Sequence, residues 1–273
     1  MDAVTVKASQ SGFDVAAFIR RVQTDTTFYK AFRAMRTVSY RATNDIKILD
    51  KDGDNKASLY SHTTQTAAHG CRTMKVDDET TTGNFYTRKG AYNWYTAELY
   101  AYLFFTKGRI CGDNDIIAGK MEPRQEGMLG KSKWQLEQLI FKPGSKVKGV
   151  PFIGERASIF EPDIARMYDF SLLSSNYEGE SCWLFRAVPK KEFVSEVVYN
   201  ELSTWFRKSD FAILARNYAV SYHTLLFDFD VKMKVRLQPV GARLFPVRID
   251  YDGNWHVQMK DRERARFTAS FQY

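Results

Sequence analysis

The sequence has no long apolar run. Its longest candidate, AELYAYLFF at residues 97–105, is much shorter than the roughly eighteen apolar residues of a membrane helix, so we expect no transmembrane helix. Cysteine is also scarce, with three in 273 residues. An odd and sparse set of cysteines fits an oxidising or a reducing compartment, so neither compartment nor pairing follows from it.

The sequence also lacks the short motifs of common enzymes. It contains no G-x-S-x-G, H-E-x-x-H, Walker loop or G-x-G-x-x-G. Acidic residues are plentiful, but none forms a distinctive local pair. Carboxylates that come together only in the folded chain cannot be identified from one sequence. We therefore predict a protein that is not an enzyme and needs no cofactor, and a hydrolase remains the alternative.

Metal-ligand spacing is absent as well. DKDGDN, starting at Asp50, would place Asn55 and Ser61 where an EF-hand loop needs glycine and glutamate, so a hairpin turn is the better interpretation. His62, His69 and Cys71 lack the close pairing of zinc ligands. The sequence therefore predicts no metal.

The positive net charge does not predict nucleic-acid binding. The 40 Lys and Arg residues exceed the 32 Asp and Glu residues by eight, but the two signs alternate along the whole chain. The densest cluster, KDRERARF at residues 260–267, is typical of a solvated strand face. We expect no nucleic-acid partner.

Apolar spacing indicates few helices. Val15, Phe18, Ile19 and Val22 follow Asp14 at helical spacing, and Phe28 to Met35 continue it after a break, which predicts one kinked helix or two short ones. Further short helices are expected at WQLEQLIF, before Pro143, and at EPDIARMY.

Strict alternation dominates the rest of the chain. In FDFDVKMKVRL, residues 227–237, every second side chain is apolar and those between are charged. ARLFPVRIDYDG and RARFTASFQY alternate in the same way, and VSYRATNDIKIL with KASLYSHTTQT predicts a hairpin. These patterns indicate a large antiparallel sheet with one polar face, whose apolar face covers a core or lines a ligand cavity.

A resemblance to a known family is strongest in the carboxy-terminal half. YDFSLLSSNYEGESCWLFRAVPK, STWFRKSDFAILARNY and FDFDVKMKVRLQPVGARLFPVRIDYDG resemble the strand run of the LolA-like superfamily, the lipoprotein-sorting and lipid-carrying proteins of the bacterial envelope. TAELYAYLFFTKG is similar to stretches in uncharacterised exported proteins of Bacteroidetes-type bacteria. The resemblance covers residues 134–273 moderately well and the first helix and hairpin weakly.

The resemblance implies a mainly β (α+β) fold: a large, curved antiparallel half-barrel with a few short helices covering or plugging its concave face. It would form a single domain over residues 1–273 with an insertion around residues 71–130. The function implied is that of a non-enzymatic carrier, holding a lipid or lipoprotein acyl chain in an apolar cavity between sheet and helices. An interaction or scaffold protein of the envelope, with the same fold and a filled core, is the alternative.

The implied location is the periplasm, for a mature chain without its signal peptide, with the outer membrane or an envelope protein as a further partner. DAVTVKASQ after Met1 lacks a signal-like apolar region, so a cytoplasmic protein fits the residues equally well. The residues predicted to line the cavity are Phe227, Phe229, Val231, Met233, Val235, Phe245, Val247, Ile249, Trp183, Phe185, Leu136, Leu139 and Ile140.

Overall fold

The computed structural model describes residues 6–8, 15–112, 156–223, 227–257 and 261–273. Its helices are α1 Val15–Thr24, α2 Thr27–Met35, α3 Tyr95–Phe104 and α4 Pro162–Ala165. Its strands are β1 Val6–Ala8, β2 Tyr40–Leu49, β3 Asn55–Ala68, β4 Cys71–Gly83, β5 Ile110–Cys111, β6 Tyr168–Tyr177, β7 Glu180–Pro189, β8 Tyr199–Arg207, β9 Ile213–His223, β10 Phe227–Val240, β11 Arg243–Val257 and β12 Glu263–Gln272.

The chain divides into two compact units. The first contains residues 1–30 and 123–222, and the second contains residues 31–122 and 223–273, so one boundary lies inside α2. The predicted single domain, with its insertion around residues 71–130, stays a prediction. Within that range, residues 71–112 form β4, α3 and β5 of the second unit, and the remainder lies outside the described residues.

The first unit contains the strand order β1-β6-β7-β8-β9, in which β1 runs parallel to β6 and the other neighbours are antiparallel. Helix α1 packs an apolar stripe on these strands because Phe18, Ile19 and Val22 repeat at helical spacing. The ring of Phe18 meets that of Phe206 at 5.3 Å, edge to face.

The second unit contains the order β10-β11-β12-β2-β3-β4-β5, and every neighbouring pair is antiparallel. The expected turn at Asp50 joins β2 to β3, and its carboxylate accepts the backbone N–H groups of Asp52 and Asp54 at 2.9 Å each. The mainly β, largely antiparallel fold with few short helices is therefore confirmed. Of the two alternatives predicted at the amino terminus, the structure has two short helices, and the short helix after Glu161 is confirmed too.

Alternation assigns the faces of the second unit's sheet. Cross-strand partners share a face, and one row of partners is apolar and buried on five successive strands: Met233, Tyr251, Phe267, Ile46 and Leu59. We call this the apolar face. The adjacent row, on the polar face, consists of Lys232, Asp252, Arg266, Lys47 and Ser58.

The alternation predicted for β11 fails at its beginning. A register shift between Arg236 and Leu237 pairs Leu237 with Pro246 and leaves Val247 as the extra residue. Consequently Phe245, Pro246 and Val247 are all buried, and Phe245 lies opposite exposed Gln238 instead of continuing the apolar row of Ile249. Such a bulge interrupts the two-residue alternation of side chains along the strand, so a prediction from alternation alone misses it.

Candidate functional site

The apolar face of the second unit contains five of the thirteen predicted lining residues. Phe229, Val231, Met233 and Val235 are at most 2% exposed, and Ile249 opposite Val235 is fully buried. Phe229 stacks on Trp255 with ring centroids 5.1 Å apart. The sequence-based assignment of these side chains to one buried face is thus correct, and their role as a cavity lining stays a prediction.

Helix α3 packs on this face. An amphipathic helix buries one apolar stripe, whereas α3 is apolar on most sides and therefore buries most of its surface. Tyr100 contacts the ring of Phe267 at 4.9 Å, and Phe104 contacts that of Phe271 at 5.8 Å. The Tyr100 hydroxyl donates to the Asn44 side-chain oxygen at 2.6 Å, and burial raises the pKa of Tyr100 well above its usual value.

A carboxylate from β12 holds the beginning of α3. The two oxygens of Glu263 accept the backbone N–H groups of Tyr95 and Thr96, each at 2.7 Å. The first N–H groups of a helix have no partner within the helix and lie at the positive end of its dipole, so a carboxylate there stabilises the helix. Sequence spacing gives no sign of this contact, because 167 positions separate Thr96 from Glu263.

Removing this carboxylate should loosen α3. We expect Glu263→Ala to lower the free energy of unfolding by about 2 kcal/mol, because it deletes two charge-assisted hydrogen bonds in a half-buried site. Urea unfolding monitored by circular dichroism measures the loss. Asp261→Ala, an exposed acid in the same segment, is the matched control, and equal losses in both variants would show that net charge and not the cap is responsible.

The carboxyl end of α3 is tightly packed. Gln65 donates to the carbonyl oxygens of Met35 and Val38 at 2.9 and 2.8 Å. Thr106 donates to the Gln65 side-chain oxygen at 3.2 Å and accepts from Arg72 Nε at 3.2 Å. The cavity among these groups has a volume of only about 10 Å³, which is about the space of a single water molecule. An acyl chain does not fit at this point.

The other predicted lining residues lie elsewhere. Trp183 and Phe185 belong to β7 of the first unit. The backbone of Phe227 is the first residue of β10, and nothing is described of its side chain. Leu136, Leu139 and Ile140, with the helix predicted around them, lie outside the described residues.

Phe185 is the centre of an aromatic cluster in the first unit. Its ring lies about 6 Å from those of Phe18, Phe160 and Phe170, and none of its surface is exposed. Trp183 lies on the same face of β7, and the ammonium of Lys208 lies over its ring, 4.3 Å from the ring centroid. The first unit therefore buries a second apolar sheet face.

A buried arginine accompanies this cluster, and sequence reasoning missed it. Arg216 is 7% exposed, donates from Nε to the Thr204 hydroxyl at 3.0 Å and lies 4.5 Å above the ring of Phe28. Burial lowers the pKa of Arg216 to about 10, and the Asp25 carboxylate acts in the opposite direction. In the sequence, the only sign of this burial is that Arg216 lies within the apolar stretch AILARNYAV.

The cysteine pairing left open by the sequence is settled by the strand register. Cys71 of β4 lies opposite Cys111 of β5, and the two form a disulfide. Cys182 is a buried free thiol, and burial raises its pKa. Because Cys71 is in this disulfide, it is not available to bind a metal together with His62 and His69.

The described ranges contain neither a metal-binding cluster nor a membrane-spanning helix. No cluster of three or more His, Cys, Asp or Glu residues there is arranged to hold a metal ion. The helices described are all too short or too polar to cross a membrane.

Comparison with known proteins gives weak matches. No protein-family model and no curated protein matches the sequence. Among solved structures, a DUF1329 family protein from Desulfovibrio piger is 12% identical, with a TM-score of 0.25 over 91% of this chain and 92% of that one. A LolA superfamily protein from Nitrosomonas europaea is 9% identical, with a TM-score of 0.24 over 90% of both chains.

A third match is an outer membrane lipoprotein-sorting protein domain from Vibrio parahaemolyticus, 10% identical, with a TM-score of 0.25 over 90% of this chain and 93% of that one. Proteins of the superfamily that the sequence resembles are thus among the structures matched. The Bacteroidetes-type origin stays a prediction.

Proposed function

We propose that this protein is a non-enzymatic carrier that binds a lipid or lipoprotein acyl chain in an apolar cavity between its sheet and its helices. The observation that carries the proposal is the extent of the apolar face in the second unit. Its row from Met233 to Leu59 crosses five strands, a width of about 19 Å at the usual strand spacing. Helix α3 has ten residues, about 15 Å in length and 10 Å in width.

The helix therefore covers a minor part of that face. Its contacts named above are with β2 and β12, and the ring of Tyr95 lies 5.7 Å from that of Trp255 in β11. The apolar residues of β10 continue from Phe229 to Leu237, a length of about 27 Å. An acyl chain is one occupant that matches such a surface. Ten buried methylenes would contribute about 8 kcal/mol before the cost of ordering the chain, without any polar contact.

The disulfide supports a location outside the cytoplasm. Disulfides persist in oxidising compartments such as the periplasm and are rare where thiols are kept reduced. Cys71–Cys111 therefore favours the exported alternative over the cytoplasmic one that the residues alone left open. Periplasmic location, with the outer membrane or an envelope protein as partner, belongs to this proposal.

One observation favours the second candidate, an envelope interaction protein with a filled core. Val231, Ile249 and Phe185 have no exposed surface. Side chains that line an empty cavity large enough for water would retain some exposure. At these positions a carrier would have to separate packed groups to admit its cargo.

Native mass spectrometry distinguishes the two candidates. The protein is purified from a bacterial host, and any bound molecule is extracted with organic solvent and identified; delipidated protein is then titrated with a fluorescent fatty acid. A co-purifying lipid together with saturable uptake is the result expected for a carrier. An apo mass with no uptake would contradict the carrier and support the filled-core interaction protein.

A further inference from the structure

The polar face of the second unit contains a hollow that the acyl-chain proposal does not use. It has a volume of about 740 Å³ and extends from the turn at Gly53 across β2, β12 and β11 to β10. Sites for small molecules typically have volumes of roughly 300–1,000 Å³. The hollow is thus suited to a small molecule or a lipid headgroup, not to a folded domain or a nucleic-acid duplex.

Four cationic side chains line the hollow: Lys47, Lys232, Lys234 and Arg266. Three of these lie in one cross-strand row, with Lys232 opposite Asp252, Asp252 opposite Arg266 and Arg266 opposite Lys47. Lys234 follows Lys232 on the same face of β10, about 7 Å along the strand. The sheet therefore brings together positive charges from three strands that are distant in sequence.

The carboxylates that line the hollow are already paired. Arg266 Nε donates to Asp252 at 2.9 Å, and Lys47 lies 3.2 Å from Asp45. Asp250 accepts from Arg248 at 2.8 Å and from the Thr268 hydroxyl at 2.8 Å. The negative charge of each carboxylate is thus opposed by a cation other than Lys232 or Lys234.

Lys232 and Lys234 are the cations left over. Both are exposed, and among the residues that the structure describes neither ammonium lies within 4.0 Å of a carboxylate. Their cross-strand partners, Asp252 and Asp250, are held by the two arginines. Two unpaired ammonium groups therefore face the same hollow and give it a net positive charge.

We propose that this hollow binds a phosphate-bearing anion, through Lys232 and Lys234 with support from Lys47 and Arg266. A phosphate group carries up to two negative charges and several acceptor oxygens, so one group can accept hydrogen bonds from two ammonium groups at once. A lipid headgroup and a small soluble phosphate compound share this chemistry. The site is on the face opposite to the proposed acyl-chain surface, so either proposal can fail without the other.

The test compares Lys232→Ala/Lys234→Ala with Arg88→Ala/Lys89→Ala, which removes the same charge from exposed positions in a turn outside the hollow. Inorganic phosphate is titrated calorimetrically at low ionic strength, and flotation is measured with vesicles of phosphatidylcholine alone and in equimolar mixture with phosphatidylglycerol. We expect the lysine variant to bind about tenfold more weakly than the wild type, and the affinity of the control to change less than about twofold. Added salt should weaken the binding of both probes.

The two probes separate the sources of the phosphate. Lysine-dependent binding of inorganic phosphate supports a soluble ligand, and lysine-dependent flotation with phosphatidylglycerol only supports a headgroup. Equal weakening of both variants would assign the effect to net charge and overturn the proposal, and so would the absence of binding to either probe. Melting temperatures of both variants should equal that of the wild type, because the replaced side chains are exposed.

Discussion

The Phe229→Asp variant should not fold. Phe229 is 2% exposed and stacks on Trp255 at 5.1 Å, so the substitution removes an aromatic contact and places a carboxylate on a buried apolar face. Loss of a buried phenylalanine costs about 3–5 kcal/mol, and an unpaired buried charge adds several more. That sum is comparable to the total stability of an ordinary domain.

Far-ultraviolet circular dichroism and soluble yield measure this outcome, and Gln238→Asp is the matched control because it introduces the same group at an exposed position of β10. The control should retain native melting. If Phe229→Asp also folds with native melting and only the uptake of fatty acid falls, Phe229 lines a cavity that tolerates polar groups. That result would refute a filled core at this position and strengthen the carrier proposal.

Removing the Cys71–Cys111 disulfide should have the next largest effect. The bridge closes a loop of 40 residues that contains α3. Chain-entropy arguments assign a loop of that length a stabilisation of roughly 4 kcal/mol, with 2–4 kcal/mol typical of measured cases. We expect Cys71→Ser/Cys111→Ser to lower the free energy of unfolding by about this amount and to reduce the cover that α3 provides.

Reductant is the internal control for this prediction. It should destabilise the wild type as much as the double substitution does and leave the double variant unchanged, as measured by urea unfolding with and without dithiothreitol. Thiol titration of the unreduced, denatured wild type should detect Cys182 alone. Detection of all three cysteines, or a wild type that is insensitive to reductant, would contradict the bridge.

The carrier proposal and the phosphate proposal use opposite faces of the same strands. Met233 and Lys232 are neighbours in sequence, yet one lies in the apolar row and the other at the hollow. A carrier that bound both the acyl chain and the phosphate of one lipid could not do so with these two surfaces simultaneously. We therefore treat the hollow as a separate site, with its own ligand and its own variants.

The sequence by itself determined many of the local elements and the two faces of β10, but it did not predict β4, α3 or β5. Alternation in FDFDVKMKVRL assigned Phe229 to the buried side and Lys232 to the exposed side of β10, because a strand directs successive side chains to opposite faces. The turn at Asp50 and the two helices before Val38 followed from equally local signals. Such signals extend over a few residues only.

Tertiary structure alone decided which distant residues meet. The pairing of Cys71 with Cys111, the contact of Glu263 with the beginning of α3 and the gathering of Lys47, Lys232 and Arg266 all depend on strand order and register. A shift of one residue in register would exchange the faces, and the bulge before Ile249 shows how a single extra residue breaks the pattern. Composition and periodicity contain no information about these long-range alignments, which arise when the strands pair.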